Sequence, residues 1–168
     1  MSGNVLAICG STRLGSASAS LIQYLAHDTD QVITPFISLD KLPPFDPNHP
    51  DLLLQKHTEA THQLKTARSL LINTPEYLHS IPATLKSLLE WTNGASLLAE
   101  IRIVSIVYTP VAPRGRFAKN HLEDILKALN TNHILSELIH HTDLAFDTNG
   151  KLRHNHIPEL LSGVKEIL

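Results

Sequence analysis

Short, unbroken apolar runs alternate along this chain with longer segments whose apolar residues recur at helical spacing. Val5–Cys9 is the first run and stops at Gly10. Residues 16–27 follow, with Leu21, Ile22 and Leu25 on one helical face and Ser16 or Ser18 available as N-cap. Residues 31–37 are β-branched and broken by Pro35, which places this strand near an edge. Residues 39–50 hold four prolines and read as an irregular loop. A second helix is predicted from residue 51 to about 67, and residues 69–73 form the next apolar strand. Pro82 suits the first turn of a third helix with Leu85, Leu88 and Leu89 as its stripe, ended by Asn93 and Gly94. Residues 101–107 are strongly β-prone. A fourth helix carries Ala118, Leu122, Ile125, Leu126 and Leu129 in register, and residues 133–139 are the fifth strand. Asp147 to Gly150 reads as a turn, and Ile157, Leu160, Leu161, Val164 and Ile167 mark a closing helix.

Continuous apolar strands that alternate with amphipathic helices imply a parallel sheet covered on both faces. The expected class is therefore α/β, one domain over residues 1–168. Composition agrees. The 42% hydrophobic content and a net charge of -2 exclude global disorder. Fourteen Lys+Arg against sixteen Asp+Glu offer no basic field for nucleic acid. No apolar run approaches the roughly 20 residues that span a bilayer. No basic segment precedes Val5, and the single cysteine cannot pair internally, so a cytoplasmic location is expected without membrane attachment. Cys9 reads as a buried, structural thiol.

Ligands in such sheets bind at the carboxyl ends of the strands. Three loops lie there: 10–18, 74–80 and 109–116. The first is rich in hydroxyls and carries Arg13. Free N–H groups, a helix dipole, Ser11, Ser16, Ser18 and the guanidinium could cradle a phosphate. It lacks the lysine of a P-loop and the glycine spacing of a dinucleotide turn, so a monophosphate suits it better. A merely solvated strand-helix turn is the alternative. In the second loop Pro75 and Pro82 stiffen the backbone, and Tyr77 offers an apolar face to a flat heterocycle. Otherwise Tyr77 is a surface aromatic and Glu76 is solvated.

Gly10-Ser11-x-Arg13-x-x-Ser16, with Pro75-Glu76-Tyr77, Ser80-Ile81-Pro82 and Leu85-Lys86, resembles the NADPH-dependent FMN reductase family, which includes chromate, azo and quinone reductases. The resemblance implies a flavodoxin-like three-layer sandwich with a five-stranded parallel sheet of order 2-1-3-4-5. It implies that Ser11, Arg13 and Ser16 bind the FMN phosphate, with Ser18 standing where asparagine is usual. Pro75, Glu76 and Tyr77 would pack against the flavin ring, largely through backbone groups. Leu78 stands where the family usually has asparagine, and Thr109 could bond the ring edge. The third loop, with Pro110 and Pro113, replaces a glycine-rich stretch. The implied activity is transfer of electrons from NADPH or NADH through FMN to a small acceptor such as a quinone, azo compound, metal oxyanion or free flavin. Turnover would be ping-pong, with no catalytic side chain required. The resemblance also implies a homodimer or homotetramer. The rival class is a flavodoxin-like binding or scaffold protein with weak or lost FMN binding, suggested by Leu78 and the proline-containing third loop.

Other residues carry less. Arg114 and Arg116 could face an anionic substrate, though each reads better as a solvated arginine at a helix start. The eleven histidines lack the spacing of a metal set and are expected at the surface, with no metal site. His79 lies inside the second loop. Trp91 is expected in the core or at a subunit contact.

Overall fold

The computed structural model describes residues 4–28, 32–141, 145–146, 152–153 and 162–163. Five strands, β1 (Val5–Cys9), β2 (Ile33–Pro35), β3 (Ser69–Thr74), β4 (Arg102–Thr109) and β5 (Asn132–His140), form one sheet. Their order is β2-β1-β3-β4-β5, and every neighbouring pair is parallel. The reversal of winding falls between β1 and β3, where Cys9 pairs with Asn73.

Alternate residues of each central strand enter different cores. Leu6, Ile8, Leu70, Ile72, Ile103 and Val107 face the helices that follow β2, β3 and β4. Val5, Ala7, Leu71, Val104, Ile106 and Tyr108 face Leu21, Ile22 and Leu25 of α1 (Ala17–Asp28). Both faces are dry, which is why the strands read as continuous apolar runs. The remaining helices are α2 (Leu52–Lys56), α3 (Thr58–Thr66), α4 (Ala83–Gly94) and α5 (Arg116–Ala128).

The single helix expected from residue 51 to 67 is two helices. Its break falls at His57, with φ -116° and ψ 64°. The Thr61 hydroxyl donates to the Leu53 carbonyl at 3.0 Å, a bond that competes with a continuous helical ladder. The edge strand is shorter than expected and keeps Pro35, whose missing N–H costs nothing on the outer side. Pro82 sits one residue before α4, as its N-cap, instead of inside the first turn. The proline-rich loop contains a short 3₁₀ turn, Leu39–Lys41. Cys9 is half-buried rather than fully buried. Trp91 lies in the core, where its ring meets Phe45 edge-on and its Nε1 donates to the Pro43 carbonyl at 3.0 Å. A two-stranded antiparallel pair, β6 (Ala145–Phe146) with β7 (Leu152–Arg153), was not expected. The predicted turn at 147–150 and most of the closing helix lie outside the described residues. No described helix is long and apolar enough to cross a membrane.

Candidate functional site

The carboxyl ends of β1, β3 and β4 open on a crevice of about 490 Å³. That size is within the usual range for small-molecule sites. Ser11, Arg13, Ser16, Ser18, Pro75, Glu76, Tyr77 and Thr109 all line it. Leu78 does not: its side chain lines a second, mainly apolar concavity of about 660 Å³ on the other side of Tyr77.

The first wall is the loop from β1 to α1. Gly10 starts it in close contact with β3, since a Cβ there would overlap the Thr74 side chain. The Ser16 Oγ accepts the Ala19 N–H at 3.2 Å, which makes Ser16 the N-cap of α1. Its hydroxyl also lies 3.8 Å from Cys9 Sγ. The N–H groups of Ala17 and Ser18 have no partner inside the helix and sit at its positive end. The Arg13 guanidinium is solvent-exposed and has no partner among the described residues, and the Arg13 N–H donates to Ser11 Oγ at 3.3 Å. The Cys9 thiol donates to the Ser11 carbonyl at 3.4 Å, so it serves this loop's shape. Across the crevice the Tyr77 hydroxyl lies 3.5 Å from Ser11 Oγ, and this contact joins the first two loops.

Glu76 is not solvated. Its carboxylate side chain is 6% exposed and accepts the Ala118 N–H at 3.1 Å, at the start of α5. The acid therefore caps a helix 42 residues away and ties the second loop to the third. Burial alone would raise its pKa. The N–H groups of Ala118, Gly115 and Phe117, with nearby His79, outweigh that and hold it below the usual 4.5. A carboxyl with a depressed folded pKa stabilises the fold above its unfolded value, and loses that contribution as pH falls through the lower folded value. Glu76→Gln should thus cost about 0.3–1 kcal/mol at neutral pH, as for a charge at a helix N-terminus. Urea denaturation against pH should show this gap closing in acid; a gap that is constant with pH would exclude the capping role.

After Glu76 the chain makes a two-residue reversal. Tyr77 and Ser80 exchange N–H···O bonds of 2.8 and 2.9 Å, while Leu78 and His79 have φ of 49° and 60°. Two successive left-handed residues define a type I′ turn, which favours Asn-Gly. Leucine at the first position is strained, and its side chain is 99% exposed and gains no burial in return. Leu78→Asn should raise stability by about 0.5–1 kcal/mol, or a few degrees in Tm. Calorimetry that finds a lower Tm would refute the strain. His79 is held by Glu76 Oε1 at 3.7 Å and by the Phe117 ring at 4.9 Å, so it faces the α5 side of the loop.

The third wall comes from β4 and β5. Thr109 is buried, and its hydroxyl donates to the Arg114 carbonyl at 3.1 Å. That carbonyl also meets His140 Nε2 at 3.0 Å. Arg114 lines the crevice, whereas the Arg116 guanidinium stacks 5.0 Å over Phe117. Tyr108 and His141 were not foreseen as site residues. Both line the crevice, with the phenol oxygen 2.6 Å from His141 Nδ1, and burial pushes the phenol pKa up. No local motif announces this pair. Its only signal in the chain is position at the carboxyl ends of adjacent strands.

Polar hydroxyls, an uncommitted guanidinium and a free helix N-terminus line one end of the crevice. A proline-stiffened backbone with a half-exposed tyrosine lines the other. This donor set fits a phosphorylated, flat ligand. Among the described residues no group of three His, Cys, Asp or Glu gathers as a metal set.

Residues 4–144 match the model of the NADPH-dependent FMN reductase family. The chain is 32% identical over 159 residues to the NADH:(hydroxy)cinnamate reductase subunit CrdA of Vibrio ruber, covering 91% of this chain and 79% of that protein. Among solved structures it resembles FerB, a flavoenzyme NAD(P)H:(acceptor) oxidoreductase from Paracoccus denitrificans. The TM-score is 0.78 at 17% identity, over 98% of this chain and 93% of that one. It also resembles the apo form of the NADH:FMN oxidoreductase EMOB, with TM-score 0.74 at 20% identity over 98% and 88%. At these identities the structural likenesses establish the flavodoxin-like fold.

Proposed function

The chain belongs to the NADPH-dependent FMN reductase family, as an NAD(P)H-dependent oxidoreductase, and from that premise we propose that its crevice binds FMN and passes electrons from a nicotinamide to a small acceptor. The observation that carries this reading is the pairing, in one crevice, of a phosphate-type cradle with a stiff aromatic wall. Ser11, Arg13, Ser16, Ser18 and the first N–H groups of α1 would hold the phosphate. Pro75, Glu76, Tyr77 and Thr109 would shape the ring site, with Glu76 acting through its cap on α5. Leu78 would reach the ring region only through its backbone.

When bound, FMN supplies the hydride-accepting redox centre. The protein's part is to orient it, to exclude water from one face and to leave the other open. The half-exposed aromatic of Tyr77, which lines the crevice, offers an apolar face where a planar donor or acceptor can land. The acceptor is proposed to be a quinone, azo compound, metal oxyanion or free flavin. The name of the Vibrio ruber relative adds hydroxycinnamates, and NADH as donor, to that panel. A homo-oligomer in the cytoplasm is part of the same proposal.

Anaerobic addition of NADH or NADPH to the FMN-loaded protein should bleach the flavin absorbance, and an acceptor from the panel should restore it. Bound FMN that neither nicotinamide bleaches would refute the reductase reading.

A further inference from the structure

Asn73 is the penultimate residue of β3 and is fully buried. It touches both ends of the 10–18 loop. Its backbone carbonyl accepts the Gly10 N–H at 2.8 Å, where the loop leaves β1. Its side-chain Nδ2 donates to the Ser18 carbonyl at 2.8 Å, in the first turn of α1 and 55 residues away in sequence. The amide oxygen, Oδ1, is buried without a hydrogen-bond partner among the described residues.

That arrangement is poor economy for stability alone. A buried acceptor without a partner costs more than the bond made by Nδ2 contributes. Leucine has nearly the same shape and would avoid the cost. What leucine lacks is a donor that fixes where α1 begins. The N–H groups of α1 that would meet a phosphate belong to the residues immediately around Ser18. An ångström of drift there would open the cradle, because preorganised donors lose their advantage when they must be gathered on binding.

We infer that Asn73 is a positioning residue for the phosphate end of the flavin site: it clamps the N-terminus of α1 to β3 and thereby sets the preference for FMN over riboflavin. It does not touch the ligand itself. The inference rests on the FMN reading, and riboflavin, which lacks only the phosphate, separates the two.

The test is the binding of FMN and of riboflavin to the full chain and to Asn73→Leu, each by quenching of flavin fluorescence, with the unfolding midpoint measured in parallel. Asn73→Asp is the second variant: it keeps the shape, and it sets an acceptor against the Ser18 carbonyl. In either variant FMN should bind on the order of tenfold more weakly, the worth of one positioned hydrogen bond. Riboflavin should be nearly unchanged, so the ratio of the two affinities falls. For Asn73→Leu the unfolding midpoint should be unchanged or higher. Equal weakening of both flavins, with a lowered midpoint, would overturn the inference in favour of a structural role. So would unchanged FMN affinity in a folded variant. A parent chain that binds neither flavin would overturn the FMN reading and the inference with it; a parent that prefers FMN beside a variant that prefers it equally overturns the inference alone.

Discussion

Arg13→Ala should weaken FMN binding by about 10- to 100-fold, since a charge-assisted hydrogen bond is worth about 1.5–3 kcal/mol. The reason is availability. Arg13 lies on the loop that runs into α1, and its guanidinium has no partner among the described residues. Among the described residues nothing competes for it. Arg114 lines the same crevice, but it belongs to the third loop, at the start of α5. Lysine in place of Arg13 would restore the charge without the planar fork, so Arg13→Lys should recover only part of the affinity. Riboflavin should be indifferent to both changes. Isothermal titration at two salt concentrations checks this, because the lost contact should also flatten the salt dependence. An Arg13→Ala protein that binds FMN like the parent would remove Arg13 from the phosphate site.

Gly115→Val should destabilise the fold by about 2–5 kcal/mol. Gly115 precedes α5 with a φ of 102°, a conformation closed to a β-branched residue. A Cβ there would also overlap the Leu138 side chain and lie 3.1 Å from Thr109 Cγ2. Strain of about 1–2 kcal/mol and overpacking of about 1–3 kcal/mol combine. The damage should reach the site, because the N–H groups at Gly115, Phe117 and Ala118 hold the Glu76 carboxylate. Chemical denaturation gives the stability. A variant as stable as the parent would contradict the tight packing of the β4–α5 junction. Gly115→Ala, smaller at Cβ, should fall between the two.

The layered architecture was legible because it depends on local pattern. Runs such as 5–9 are apolar throughout when helices cover both faces, and the helical stripes showed which residues turn inward. The order of the strands was different. Alternation predicts a parallel sheet without ordering it, and the order came from the resemblance carried by the first and second loops. The hydroxyls and Arg13 of the first loop were readable because a cradle of that kind is built from consecutive residues.

What escaped depends on contacts across the fold. Glu76 read as solvated or as a ring contact because nothing near it in the chain hints at a helix start at Ala118. Tyr108 and His141 are separated by 33 residues and meet only once β4 and β5 pair in register. Asn73 was placed only within the strand 69–73, and its two bonds to the first loop need β1 beside β3. The break at His57 needed the Thr61 hydroxyl to reach back to Leu53, a choice that apolar spacing does not encode. Leu78 was noticed as a substitution for asparagine. Only the backbone showed why asparagine would suit that place, since the turn demands a left-handed residue.

The most direct measurement is a titration of the purified, flavin-free chain with FMN, followed by calorimetry or fluorescence. Saturable binding of one FMN per chain, tighter than riboflavin and weakened by added inorganic phosphate, is the expected result. No saturable FMN binding, or binding that ignores both the phosphate group and competing phosphate, would show that the loop from β1 to α1 is only a capped turn.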